Sequence, residues 1–144
     1  MDTTPENTNR IQAEVLDAFA GLVEASKALD SSRYFDYVDK DKFSGLSADG
    51  KAWHSIQDLE NVVIPGFQMV EKIVRLEFRN VKVTVINQST AILVNEYQQT
   101  ILLKNGDSVE QSGGGTQVWF KAGTAWTLVS ISASDTSQRD EAIF

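Results

Sequence analysis

Gly115-Thr116-Gln117-Val118-Trp119-Phe120-Lys121, then Ala122-Gly123, then Trp126-Thr127-Leu128-Val129, reads as two strands joined by a tight turn at the Ala-Gly pair. Upstream, Asn105-Gly106 is the strongest turn signal in the chain and joins two long strands. The run Gly113-Gly114-Gly115 falls inside the second of these, where it predicts a sharp bend or a close approach of another backbone. A phosphate-cradling glycine loop is the poorer fit, because no helix start follows to supply its dipole.

Two-residue turns at both places set a register. Asn95 then lies opposite Thr116, Leu93 opposite Val118, Thr116 opposite Val129 and Trp119 opposite Trp126. One sheet face carries Leu93, Asn95, Tyr97, Thr116, Val118 and Phe120, and the other Val94, Glu96, Gln98, Trp119, Trp126 and Leu128. Neither reads as a solvated face. Helices cover the first, so the second calls for another subunit, which predicts a homodimer with Trp119, Trp126 and Gln98 in the interface. A register slip of one residue would remove that requirement.

Further toward the N-terminus, Val74, Leu76 and Phe78 alternate with charged residues, and the apolar set resumes at Val81, Val83 and Val85 on the opposite parity. A β-bulge at Arg79-Asn80 restores a single buried face. Everything before about Ile73 reads as mainly helical. Thr4-Pro5 caps a long helix striped by Ile11, Val15, Phe19, Leu22, Val23 and Leu29. After a break at Asp30-Ser31-Ser32, a short helix over 33–39 brings Tyr34, Phe35 and Val38 inward. A brief strand at 43–46, a turn at Asp49-Gly50 and a return strand at 51–54 form a small hairpin. Ser55, with Asp58 three residues on, opens a third helix buried through Ile56, Leu59, Val62 and Val63, which Pro65-Gly66 should end or kink. The expected fold is thus α+β: three N-terminal helices on a strongly bent, mixed or antiparallel sheet of about six strands, forming one domain over 1–144 with frayed tails at 1–4 and 135–144.

Composition narrows function by exclusion. Apolar residues make up 42% and charged residues 23%, a globular balance, and 144 residues suffice for one core. A net charge of −7 disfavours nucleic acid and anionic membranes as partners. With no cysteine and one histidine, thiolate chemistry and multi-histidine metal sites fall away, and no metal or cofactor is expected. The N-terminus lacks a basic start followed by an apolar run, so the chain reads as cytoplasmic unless a signal peptide has been removed.

The order of elements and the ending Gly115-Thr116-Gln117-Val118-Trp119-Phe120-Lys121, Gly123, Trp126-Thr127-Leu128-Val129 resemble the nuclear transport factor 2-like superfamily. The likeness is to its small bacterial SnoaL-like branch and to the association domain of calcium/calmodulin-dependent protein kinase II, whose ending "T-x-x-W … G-x-W-x-x-V" it shares. The segment from Phe43 to Trp53 sits where their hairpin sits. The resemblance implies a cone-shaped roll. It says little of function, since this fold hosts isomerases, dehydratases, hydrolases, transport factors and oligomerisation domains. The association domain often continues "H-x-H-x-S" after that tryptophan, whereas this chain has Ser130-Ile131-Ser132-Ala133-Ser134. Ketosteroid isomerase-like members carry an acid where Thr116 falls, and their general base lies near Asp49, which already has a role as a turn residue.

The expected function is binding of a small apolar or amphipathic molecule in a semi-apolar cavity contributed to by Tyr34, Trp53, Asn95, Tyr97 and Thr116. The alternatives are an enzyme of the isomerase, dehydratase or hydrolase kind, with His54, Asp49 and Tyr34 as acid–base candidates, or a dimerisation or protein-interaction module. His54 is the one side chain whose ordinary pKa suits proton transfer near neutrality.

Overall fold

Thr4, itself in an extended conformation, begins a helix: its Oγ1 accepts from the Asn7 N–H at 3.3 Å, and Pro5 occupies the first turn, where its missing N–H costs nothing. In the computed structural model, which describes residues 4–136, helix α1 spans Pro5–Lys27 and buries Ile11, Val15, Phe19, Leu22 and Ala25. The helix stops before Leu29, which adopts a left-handed backbone (φ 56°) and turns the chain. Helix α2 covers Ser31–Asp36, starting and ending earlier than expected. Asp30 caps it through its carboxylate, which accepts from the Arg33 N–H at 3.1 Å. Beyond Asp36 the sheet takes the backbone: the Leu128 N–H donates to the Tyr37 carbonyl at 2.7 Å and the Asp39 N–H to the Leu128 carbonyl at 2.9 Å.

Strands β1 (Ser44–Leu46) and β2 (Ala52–Trp53) form the small hairpin, with Gly50 at φ 90° in its turn. Helix α3 covers Ile56–Met69. Ser55 makes no side-chain cap bond; instead the Asp58 carboxylate accepts from the His54 N–H at 2.8 Å. The helix runs on through Pro65 to Met69, so the Pro65-Gly66 pair does not end it. Pro65 forfeits one hydrogen bond, and the packing of Val63, Ile64 and Phe67 against the core outweighs that loss.

Four long strands follow: β3 (Val70–Asn87), β4 (Thr90–Leu103), β5 (Ser108–Ala122) and β6 (Ala125–Asp135). Together they form an open six-stranded mixed sheet ordered β2-β1-β6-β5-β4-β3, in which β1 runs parallel to β6 and the other pairs are antiparallel. The β3 bulge falls where the change of parity placed it, between Arg79 and Lys82, with Asn80 at φ 54°. β6 continues through Asp135, which is buried, so the C-terminal tail does not begin at 135; residues 1–3 and 137–144 lie outside the described residues.

The register of the last three strands differs from the two-residue-turn expectation. At Asn105-Gly106 the Gly106 N–H donates to the Leu103 carbonyl at 2.9 Å and the Leu103 N–H to the Asp107 carbonyl at 2.8 Å, with Gly106 at φ 95°. That is a type I turn followed by a left-handed glycine, one residue longer than a two-residue turn. Asn95 therefore faces Gly115, and Leu93 faces Gln117. In the last hairpin Ala122 pairs with Ala125 and Trp119 with Leu128, and a register shift between Val118 and Trp119 places Thr116 opposite Ser132.

This slip exchanges the two faces of β5. Trp119 and Leu128 are fully buried and Trp126 nearly so, under the helices, while Thr116 is exposed on the far side. The expected outward tryptophan face does not exist, and with it goes the assignment of Trp119 and Trp126 to a subunit interface. Trp126 instead fastens α1 to the sheet: its Nε1–H donates to Glu14 at 2.8 Å, and the Lys121 ammonium approaches the same oxygen at 3.5 Å. The triple glycine marks a close backbone approach, since a Cβ on Gly113 would stand 1.9 Å from the Ser134 carbonyl oxygen.

Candidate functional site

The helices do not fill the inner face of the sheet completely. Between them lies a pocket of about 550 Å³, walled by Phe19, Leu22 and Val23 of α1, Tyr34 of α2, Val63 and Phe67 of α3, and Ile73, Leu76, Phe78 and Ile101 of the sheet. Edge-to-face contacts of Phe19 with Phe78 (centroids 5.0 Å apart) and of Tyr34 with Phe67 (5.8 Å) stiffen the walls. The volume falls within the range that pockets in folded proteins commonly span, and the lining is mostly apolar.

The polar side chains on the pocket are amides, phenols and the Ser26 hydroxyl, which donates to the Leu22 carbonyl at 3.0 Å. Asn95, only 8% exposed, hydrogen-bonds through its side chain to no other described residue. Gln117 accepts the Trp119 indole N–H at 2.9 Å, and the Gln99 amide donates to Gln111 at 2.6 Å. The Tyr97 hydroxyl donates to the Ser134 carbonyl at 3.1 Å, and burial, then the nearby Asp135, raises its pKa. Burial also pushes the Tyr34 phenol up to about 12, so Tyr34 stays neutral at physiological pH. No Asp, Glu, His, Lys or Arg among the described residues lines the pocket. Nor do the described residues gather three or more metal-ligating His, Cys, Asp or Glu side chains.

The profile of the SnoaL-like domain family matches residues 15–137. This chain belongs to the SnoaL-like domain family. Among solved structures, a nuclear transport factor 2-like superfamily protein from Salmonella enterica serovar Typhimurium superposes with a TM-score of 0.81 at 16% identity, covering 94% of this chain and 96% of that one. The association domain of the Caenorhabditis elegans calcium/calmodulin-dependent protein kinase II gives 0.73 at 16% identity, covering 90% and 98%. A ketosteroid isomerase-like protein from Erwinia carotovora atroseptica gives 0.73 at 15% identity, covering 86% and 95%. No curated protein matches the sequence significantly. At these identities the structural likeness speaks for the fold alone.

In this SnoaL-like domain, Tyr34, Asn95 and Tyr97 do converge on the pocket. Trp53 does not line it: its ring packs beside Phe43 (6.4 Å), and its Nε1 is buried with no hydrogen-bond partner among the described residues. Thr116 points to the opposite face, and Gln117 takes its place. The acid–base candidates are not brought together. His54 is exposed at the start of α3, and Asp49 is exposed in the hairpin turn, its carboxyl held below the usual range by hydrogen bonds from the Ser47 hydroxyl and the Lys51 N–H. Gln98, on the outer face, bonds within its own chain to the guanidinium groups of Arg75 (3.1 Å) and Arg79. Gln117 was missed because the register error turned it outward. The usable signal was Trp119 two residues on: a buried indole N–H needs an acceptor on its own strand face.

Proposed function

We propose that this SnoaL-like domain binds a small, uncharged, amphipathic molecule in the pocket, without acid–base machinery of its own. The observation that carries this is the lining: an apolar wall interrupted by amides, with no group that titrates near neutrality among the described residues. An isomerase or dehydratase needs a base within hydrogen-bond reach of its substrate, and His54 and Asp49 stand outside the lining. Native mass spectrometry of gently purified protein is expected to carry a reproducible small adduct, weakened in Asn95→Leu. A panel of neutral amphiphiles should then include members that raise Tm by several degrees, as binding at about a hundred times Kd stabilises by about 2.7 kcal/mol. If no adduct appears and no neutral amphiphile moves Tm, the proposal fails.

A homodimer is a second part of the proposal, resting on the outer sheet face instead of the tryptophans. Val94 is 39% exposed there, beside the half-buried Ile92, Val118 and Phe120, and one structural neighbour is an association domain. Light scattering should give twice the chain mass, and Val94→Asp should halve it; a monomeric wild type ends this part. Neither nucleic acid nor membrane is assigned as a partner, given the net charge of −7 and the lack of any described helix long and apolar enough to span a bilayer. A cytoplasmic location is proposed along with it.

A further inference from the structure

We propose that the ligand carries an uncharged hydrogen-bond-accepting oxygen, and that Gln117, held in one amide orientation by Trp119, is the residue that selects for it. This rests on the pocket being a ligand site. An indole N–H can only donate, so the Gln117 atom 2.9 Å from Trp119 Nε1 has to be the amide oxygen. The amide cannot flip without setting two donors against each other. Trp119 is itself fully buried and cannot turn away. The Gln117 Nε2 group is therefore left as a donor. It has no partner among the described residues, on a residue 5% exposed overall that lines the pocket.

An NH₂ group that opens onto a pocket in this way is satisfied by an acceptor on whatever occupies it. Its neighbours favour a neutral acceptor. A carboxylate on the ligand would lose its hydration against Leu22, Phe78 and Ile131 with no cation among the described lining residues. A ketone, ester, lactone, amide or ether oxygen carries no such cost. Asn95 lies one diagonal step away on β4, opposite Gly115, and its amide is free to give or take a second hydrogen bond. Gly115 has no side chain to stand over the strand between the two amides, so a ligand can reach both.

The test uses three naphthalene probes: 6-propionyl-2-(dimethylamino)naphthalene, its 6-propyl analogue lacking the carbonyl, and 6-(dimethylamino)naphthalene-2-carboxylate, each titrated by fluorescence. The ketone should bind the wild type, with the carboxylate at least about tenfold weaker. In Gln117→Leu the ketone-to-propyl affinity ratio should fall about fivefold to tenfold while the propyl analogue is little changed, the loss expected for one hydrogen bond. Trp119→Phe should lower the ratio by an intermediate amount, because the amide is then free to turn. Gln117→Leu orphans the Trp119 N–H, so Gln117→Leu/Trp119→Phe, which removes both partners, serves as the folding-safe version and should show the same loss of ratio. If both naphthalenes bind and Gln117→Leu leaves their ratio unmoved, or if the carboxylate matches the ketone, the selectivity inference is overturned while the pocket still binds. If no probe binds saturably and no neutral amphiphile raises Tm, the binding proposal fails and takes this inference with it; if amphiphiles raise Tm but the ketone does not bind, this inference alone is overturned.

Discussion

Gly113 and Gly66 are the same residue in opposite surroundings. A Cβ on Gly113 would meet the Ser134 carbonyl at 1.9 Å, and that oxygen belongs to the backbone of β6, which cannot swing aside. Gly66, inside α3, has nothing within 4 Å of the same added atom. Gly113→Ala is therefore expected to lower stability by about 1–3 kcal/mol, as overpacking does. Gly66→Ala should raise it by about 0.5–1 kcal/mol, through helix propensity alone. Urea midpoints decide both, and equal effects of the two substitutions would contradict the close approach of β5 and β6. The site residues divide in a similar way. Tyr34, Asn95 and Tyr97 could be picked out from the sequence, because a polar group on an apolar face has to find a partner. Gln117 is legible only through Trp119, once that indole is known to be buried, since the face of both depends on a turn ten residues away.

At the scale of elements, α1 is held to the end of the sheet by Glu14. Its carboxylate lies below its ordinary pKa of 4.5, chiefly through the Trp126 N–H and then through Lys121 and Arg10, against an opposing effect of desolvation. A depressed folded pKa means that this contribution is present above the unfolded pKa and is lost as pH falls through the folded one. Glu14→Gln keeps an acceptor for Trp126 but removes the titration. The wild type should exceed Glu14→Gln in urea midpoint near neutrality, and the gap should close as pH falls below the ordinary value of 4.5 and through the depressed folded one. The Glu14 side chain is 36% exposed, so salt should narrow the gap as well. A gap independent of pH would place the contribution elsewhere. Local signals of this kind made most elements legible. The cap at Thr4 and the bulge at Asn80 stood in the sequence because each satisfies a need within a few residues. The limits of α2 and α3 did not. Bonds to Leu128 end α2 early, and packing of Phe67 carries α3 through Pro65, so both are settled by residues distant in the chain.

For the whole molecule, the question is which surface meets the outside. Trp119 and Trp126 are core residues of a single chain, so Trp126→Phe should cost about 1–2 kcal/mol of stability through the lost bond to Glu14, yet leave the mass measured by light scattering unchanged. A change of mass without loss of stability would return the tryptophans to an interface. What keeps them inside is the loop at 104–107, which acts on the following strand as a reading frame acts on a message. Deleting one residue there would leave every downstream letter in place and invert its meaning, presenting indoles to water and threonines to the core. A length change of three ångströms in an exposed loop would then be felt as the loss of the pocket.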